Sequence, residues 1–299
     1  MPYQTYPYPS DLEQHNLFIK FVRIFSVPML NAVPASLIKR AMKKTSKDAA
    51  MTVEKSGSTH ALEAMYTRDH RRLFSRGFSQ GVADIFWHHI VSQPKAIRNR
   101  LKIVREIIRT DIETLAQERK ESGNSDPIRI LSIAGGSARS IIQAVSEVKG
   151  HSPEVQIEVV VIDKDQSALN VGAKIAQEAG LSKNFTWIVG NANKVQELLP
   201  ATTKFDLVEI VGLLDYFDDE RALRLIGNAK ADMNDGGFMV IANVLRNSET
   251  PFVHKMGWPA MIYRKPKEVE DLLSSAGFEK DLQYIVEPLR VHCVAVGRK

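Results

Sequence analysis

Two hydrophobic regimes divide the chain. In residues 94–118 the apolar positions Ile97, Leu101, Val104, Ile108, Ile112 and Leu115 recur in steps of three and four. That spacing predicts one face of a long helix. The polar stretch ESGNSDP, residues 121–127, carries Gly and Pro and reads as a connection. Behind it, short apolar runs predict strands over 128–133, 156–163, 185–190, 205–214, 236–243, 282–287 and 291–297. Helices are predicted between them. One covers 137–148, the next ends at Gly180, a third spans 218–233, and a fourth opens at Pro266 and stops at Gly277. Strands alternating with helices predict an α/β fold with a doubly wound, mostly parallel sheet of seven strands. The last two strands have only a short turn between them, so they should form an antiparallel hairpin. The expected organisation is an α-helical N-terminal cap or substrate domain over 1–125 and an α/β domain over 126–299.

The front half adds one further segment. Residues 17–44 are apolar but interrupted by Lys20, Arg23, Pro28 and Pro34, so no uncharged run is long enough to cross a bilayer. The acidic, Pro/Tyr-rich head before it does not suit a secretory signal. A helix with a basic end remains, carrying Lys39, Arg40, Lys43, Lys44 and Lys47. It reads either as a packing helix with a solvated basic side or as a peripheral membrane contact through residues 17–47.

Charge sharpens the division. The 299 residues hold 40 Lys+Arg and 35 Asp+Glu, a net charge of +5. Residues 1–126 account for +7 of it, and residues 127–299 carry −2. One cysteine rules out internal disulfides and Cys-based zinc sites and points to a reducing, cytoplasmic setting. No metal site is expected, and Cys293 reads as core.

In an open α/β sheet ligands bind beyond the carboxyl ends of the strands. The turn after the first strand, AGGSARS, is made of small residues that allow close backbone approach at a helix N-terminus. It fits neither the three-glycine dinucleotide fingerprint nor a P-loop. Asp163 ends the second strand, where a carboxylate can accept from both ribose hydroxyls of a nucleoside. Asp165 is the better cap for the next helix. Asn191, after the third strand, can meet an adenine edge with a donor and an acceptor.

ILSIAGGSARS, VVVIDKD, WIVGNAN, FDLVEIVGLLDYF and GGFMVIANV together resemble the motif series of class I S-adenosylmethionine-dependent methyltransferases, over about residues 128–299. The resemblance implies a Rossmann-like sheet, S-adenosylmethionine as cofactor, and methyl transfer. It places Ala134, Gly135, Gly136 and Ser137 along the methionine part of the cofactor, Asp163 on the ribose, Asn191 and Ala192 beside the adenine, and Val211 and Gly212 under the sulfonium. Ser132 stands where the family often has an acid, and Ala134 and Ala138 where it often has Gly. Alanine is tolerable there only with negative φ. AIRNRLKIV, GLLDYFDDE and MIYRKPKEVEDLL are similar, more patchily, to bacterial methyltransferases that form 3-hydroxy fatty acid methyl esters.

A small-molecule acceptor, of carboxylate or acyl type, is the expected substrate, and a carboxylate would need no general base. Asp215 and Tyr216 are the catalytic candidates, with Asn243, Trp258 and Tyr263 as substrate contacts. Arg98 and Arg100 could pair with an anionic substrate, but a solvated helix face is the preferred reading. Two alternatives stand beside this reading. One is a nucleic-acid methyltransferase using the basic front half, ranked lower because that half has few aromatics among its basic residues and no Asn/Asp-Pro-Pro-Tyr segment follows the fourth strand. The other is an inactive module that keeps only the fold.

Overall fold

The structure is a computed structural model that describes residues 6–45, 47–66, 77–200 and 202–299. Helices α1 (Leu17–Ala32), α2 (Ala35–Thr45), α3 (Lys47–Glu54), α4 (Thr59–Tyr66) and α5 (Phe78–Ile85) lead through a π-helical turn to α6 (Ser92–Ser122). The α/β part follows as β1 (Ile128–Ile133), α7 (Arg139–His151), β2 (Ile157–Asp163), α8 (Gln166–Glu178), β3 (Phe185–Val189), α9 (Val195–Leu198), β4 (Phe205–Val211), α10 (Asp219–Ala231) and β5 (Met233–Val244). It closes with α11 (Thr250–Met256), α12 (Pro266–Ser275), β6 (Lys280–Val286) and β7 (His292–Arg298).

The sheet runs β3-β2-β1-β4-β5-β7-β6, with β7 antiparallel to both its neighbours. The expected mixed seven-stranded sheet and its terminal hairpin are present. Apolar residues on both sides of each central strand explain the two-sided packing. On one face Ile130, Val159, Leu207 and Val240 meet α6 and α7 through Ile108, Ile112, Ile141 and Val145. On the other, Leu131, Val208, Ile210 and Ile241 meet Leu225, Ile226, Val269 and Leu273 of α10 and α12.

Three expectations change. Met233 does not end a helix; it opens β5 and pairs with Phe205, because Asp232 already caps α10. The fourth strand stops at Val211, where Gly212 takes φ +92° and a 3₁₀ turn follows at Leu214–Tyr216. The early helix over 17–44 is two helices, bent by 116° at Val33–Pro34. Proline at 34 forces its predecessor out of the helical region, and Val33 takes φ −63°, ψ 137°. Among the described residues no single helix is long and apolar enough to cross a membrane.

Helix α6 joins the two halves. Its first turns enter a cap cluster through Ile97, with Ile38, Val53, Met65, Trp87 and Met256. Its later turns, Ile103 to Leu115, belong to the core of the sheet. A helix placed on the front side of the expected division at residue 125 thus supplies part of the sheet's own core.

Candidate active site

The nine residues named from the strand tips all line one cleft of about 580 Å³: Ala134, Gly135, Gly136, Ser137, Asp163, Asn191, Ala192, Val211 and Gly212. Parallel pairing in register produces this convergence, since it sets the ends of β1, β2, β3 and β4 side by side.

The loop after β1 is held by the end of β2. Asp163 accepts from the amide of Gly136 through one carboxylate oxygen and from the amide of Asp165 through the other, each at 2.9 Å. An ionised carboxylate has about four acceptor sites, so two remain for ligand hydroxyls. Asp165 caps α8 as expected, accepting from Ser167 N. Asn191 caps the next turn through Asn193 N, at 2.9 Å, which leaves its amide NH₂ for a ligand.

Helix α4 lies over the loop. Glu63 accepts from Ser137 Oγ at 2.7 Å and pairs with Arg139. A Cβ at Gly136 would sit 2.6 Å from Thr59 Oγ1, so only glycine fits beneath the helix. Gly136 takes φ +56° in the left-handed region.

Ala134 and Ala138 do not take the negative φ that alanine prefers: they sit at +56° and +47°. The turn must bring Ala134 N to Ile162 O at 2.7 Å and Gly136 N to Asp163, and that path overrides alanine's local preference. Left-handed geometry costs a Cβ-bearing residue roughly 1–2 kcal/mol. Ala134→Gly or Ala138→Gly should therefore each stabilise the protein by about 1 kcal/mol, less the extra entropy of the unfolded glycine. A thermal melt should rise by about 2 °C for each. A lower melting temperature for both would contradict these backbone angles.

A second acid was not anticipated. Ser132 is neutral where the resemblance has an acid, and Ser132 pairs in register with Glu209 on β4. Ser132 Oγ donates to Glu209 Oε2 at 2.5 Å. The carboxylate is thus supplied by the neighbouring strand, and it lines the cleft. Burial pushes Glu209 up to about 7, against the pull of the Ser132 hydrogen bond and Arg100. The signal was legible in FDLVEIV, where Glu209 is an acid in the middle of an apolar run, three residues beyond Asp206 at the strand's start.

Beyond Gly212 the cleft meets a small chamber of about 70 Å³ between the sheet and the cap. Leu62, Met65, Trp87, Val253, Met256 and Trp258 supply most of its apolar wall. Arg100 lines both spaces. It is 5 % exposed, and its Nη1 is 3.7 Å from where a Gly212 Cβ would lie. Burial disfavours its charge, but Tyr66 and Asp215 beside it raise the guanidinium above its usual range. No carboxylate among the described residues lies within ion-pair distance of it.

Arg98 is also buried, gripping both oxygens of Glu13 and donating to Met65 O at 2.9 Å. The solvated-face reading of both arginines is therefore corrected. Arg100 lies three residues after Ile97 and four before Val104, on the apolar side of α6, and that phase was the available clue.

Asp215, Tyr216 and Trp258 line the chamber. Asp215 accepts from Val244 N at 2.7 Å, tying the turn after β4 to the end of β5. Burial raises its pKa, opposed by that bond, Arg100 and Arg264. Tyr216 is pushed up to about 12 by burial and Asp215, so it is a phenol at neutral pH. It accepts from Trp258 Nε1 at 3.1 Å.

Asn243 and Tyr263 lie outside both spaces. Asn243 braces Arg264, which donates to its Oδ1 at 2.6 Å, and donates to Ile262 O at 2.8 Å. Tyr263 packs edge-on against His254. His292 does line the chamber, and neither ring nitrogen has a partner among the described residues. Burial, then Arg100, keeps its ring neutral.

The cleft suits the cofactor that the resemblance implies. Asp163 has acceptor capacity for a ribose, Asn191 has a free amide for an adenine, and Glu209, when ionised, would complement a cationic group in the cleft. Residues 85–299 match a family model described as "Putative methyltransferase". A search of curated proteins gives no match. Solved structures similar to the chain include a Nostoc punctiforme protein named among the O-methyltransferases, at 21% identity over 67% of this chain and 59% of that one, TM-score 0.47. The chain thus spans less than two thirds of that relative's length. A Bordetella parapertussis protein described only as a possible exported protein is similar at 15% identity over 91% of this chain and 96% of that one, TM-score 0.57. An O-methyltransferase family protein from Burkholderia thailandensis is similar at 14% identity over 94% and 70%, TM-score 0.51. At these identities the likeness is one of fold. With the family model covering most of its length, the chain belongs to this methyltransferase family.

Proposed function

We propose that the acceptor is the carboxylate of a small, otherwise apolar acid, methylated at oxygen. One observation carries this reading: a buried, charged guanidinium stands where the cofactor cleft opens into an apolar chamber, with no ion-pair partner among the described residues. Against its burial, Tyr66, Asp215 and Glu209 favour the charge of Arg100, yet no carboxylate among the described residues is paired with it, and an incoming carboxylate would supply the two-pronged hydrogen bond.

The cofactor, when bound, supplies the methyl group from its sulfonium. Arg100, which lines both spaces, would hold the acceptor carboxylate at the mouth of the cofactor cleft. Gly212, which has no side chain, leaves the gap between the two spaces clear. Positioning of this kind supplies much of the acceleration in such a displacement. Toward the electrophilic methyl of the bound group, which would leave as a neutral thioether, the acceptor would need only a lone pair on its held oxygen. A carboxylate carries no proton to remove, which suits a site where Tyr216 is a phenol and Asp215 is engaged by Val244. The helical front half serves as the cap: α4 covers the cofactor loop, and α3 and α4 line the chamber.

A panel of acceptors tests the reading. Medium-chain carboxylic acids should be turned over, while the matching alcohols and amides should not. Turnover of the alcohols at comparable rates would remove the case for a carboxylate.

Glu209 sets a pH dependence for the cofactor. Below about pH 7 its burial favours the protonated, neutral form, and above that the carboxylate grows in. The charged form attracts a cationic cofactor, so affinity should rise with pH, by about tenfold for each unit by which binding lowers the pKa. Glu209→Gln should flatten this rise in calorimetric titrations from pH 6 to 8. An identical slope in the variant would assign the dependence elsewhere.

A further inference from the structure

Helix α1 is amphipathic in the reverse sense. Its packed side holds Arg23, paired with the buried Glu249, and the buried Ser26 and Val27. Its outer side holds Leu17, Phe18, Phe21, Ile24, Phe25 and Met29, each 59 to 84 % exposed. Their spacing of three and four makes one continuous stripe. Phe21 and Phe25 touch edge to face, 5.6 Å between centroids. Nothing else among the described residues exposes large apolar side chains in such a row, and contiguous exposure of this kind marks an interaction surface.

Charge identifies the partner. Residues 17–45 contain six cations, Lys20, Arg23, Lys39, Arg40, Lys43 and Lys44, and no acid. Glu249 takes Arg23, and Lys43 reaches Glu54 at 3.6 Å. On α2, Leu37, Arg40 and Lys44 share the outer side opposite the buried Ile38. A second copy packed through a two-fold axis would bring this acid-free segment against itself, cation facing cation. A surface that accepts an apolar stripe flanked by uncompensated lysines and arginines must be apolar below and anionic above, as an anionic bilayer is. The 116° bend sets the two helices as an angled pair rather than a single span.

We propose that α1 and α2 seat the enzyme on an anionic lipid surface, with the α1 stripe at the level of the acyl chains and the α2 cations among the headgroups. This surface stands apart from the cofactor cleft and does not depend on which acceptor is methylated.

Sedimentation of the full chain with vesicles tests it. The protein should pellet with vesicles of phosphatidylcholine and phosphatidylglycerol, far less with phosphatidylcholine alone, and less again as salt rises. Phe21→Ser/Phe25→Ser should weaken vesicle binding by at least about tenfold, as loss of buried apolar area requires. Arg40→Glu/Lys44→Glu should remove the preference for anionic lipid. Both pairs are exposed, so melting temperature and cofactor binding should be unchanged. The proposal is overturned if the wild-type chain stays in the supernatant with anionic vesicles. It is equally overturned if the chain sediments as a dimer that Phe21→Ser/Phe25→Ser dissolves while no vesicle binding is seen.

Discussion

Arg100→Met should lower kcat/KM for a carboxylic acid acceptor by roughly two to three orders of magnitude. Removing one partner of a buried, hydrogen-bonded charge pair costs about 2–5 kcal/mol, and each 1.36 kcal/mol is tenfold in rate. Methionine keeps much of the volume, so the loss reports charge and geometry rather than a cavity. Cofactor binding should survive, since the guanidinium adds positive charge beside a cationic ligand. Arg100→Lys should fall between, because an ammonium keeps the charge but not the planar fork. Steady-state kinetics with calorimetry of the cofactor separate the two effects. Unchanged transfer to acids in Arg100→Met would end the carboxylate reading while leaving the methyltransferase assignment intact.

Asp163→Ala should weaken S-adenosylmethionine binding by about a hundredfold or more. The carboxylate serves two roles. It holds the Gly136 and Asp165 amides in place, and its remaining acceptor sites face the cleft. Hydrogen bonds to a charged group are worth about 1.5–3 kcal/mol each, so losing two ligand contacts amounts to a factor of this size or larger. Asp163→Asn keeps a neutral acceptor and should retain part of the affinity. The alanine variant should also melt lower, since Gly136 N loses its acceptor beneath α4. Titration calorimetry reads the first effect and thermal unfolding the second. A dissociation constant within twofold of the wild type would remove Asp163 from the cofactor site.

The cleft was readable along the chain because each of its residues sits at a fixed place relative to a strand end. Asp163 closes a β-branched run, the AGGS turn follows one, and Asn191 follows another. Parallel strands in register then bring those ends together without further instruction. The acceptor side was less readable. Asp215 and Tyr216 were legible for the same reason, one residue and two past the expected end of the fourth strand. Asn243 and Tyr263 share their neighbourhood in sequence but turn to Arg264 and His254 instead. Direction, not position, separates lining residues from bracing ones, and direction depends on which side chains compete for the same partner.

Local pattern alone determined the sheet, the long α6, the strand-tip cleft and the basic, acid-free segment at 17–45. Period and turn chemistry act over a few residues, so a single chain displays them. Tertiary structure decided the rest. It moved the missing acid from Ser132 to Glu209 on the adjacent strand, because pairing in register makes the two one site. It forced Ala134 and Ala138 into left-handed geometry, because the loop must meet β2. It turned Arg100 from a surface charge into the buried cation of a chamber, because α6 is covered there by the cap. It also turned the apolar side of α1 outward, because Glu249 claims Arg23 on the inner side. Each of these outcomes rests on a partner far along the chain, and burial makes that partner's charge or shape decisive.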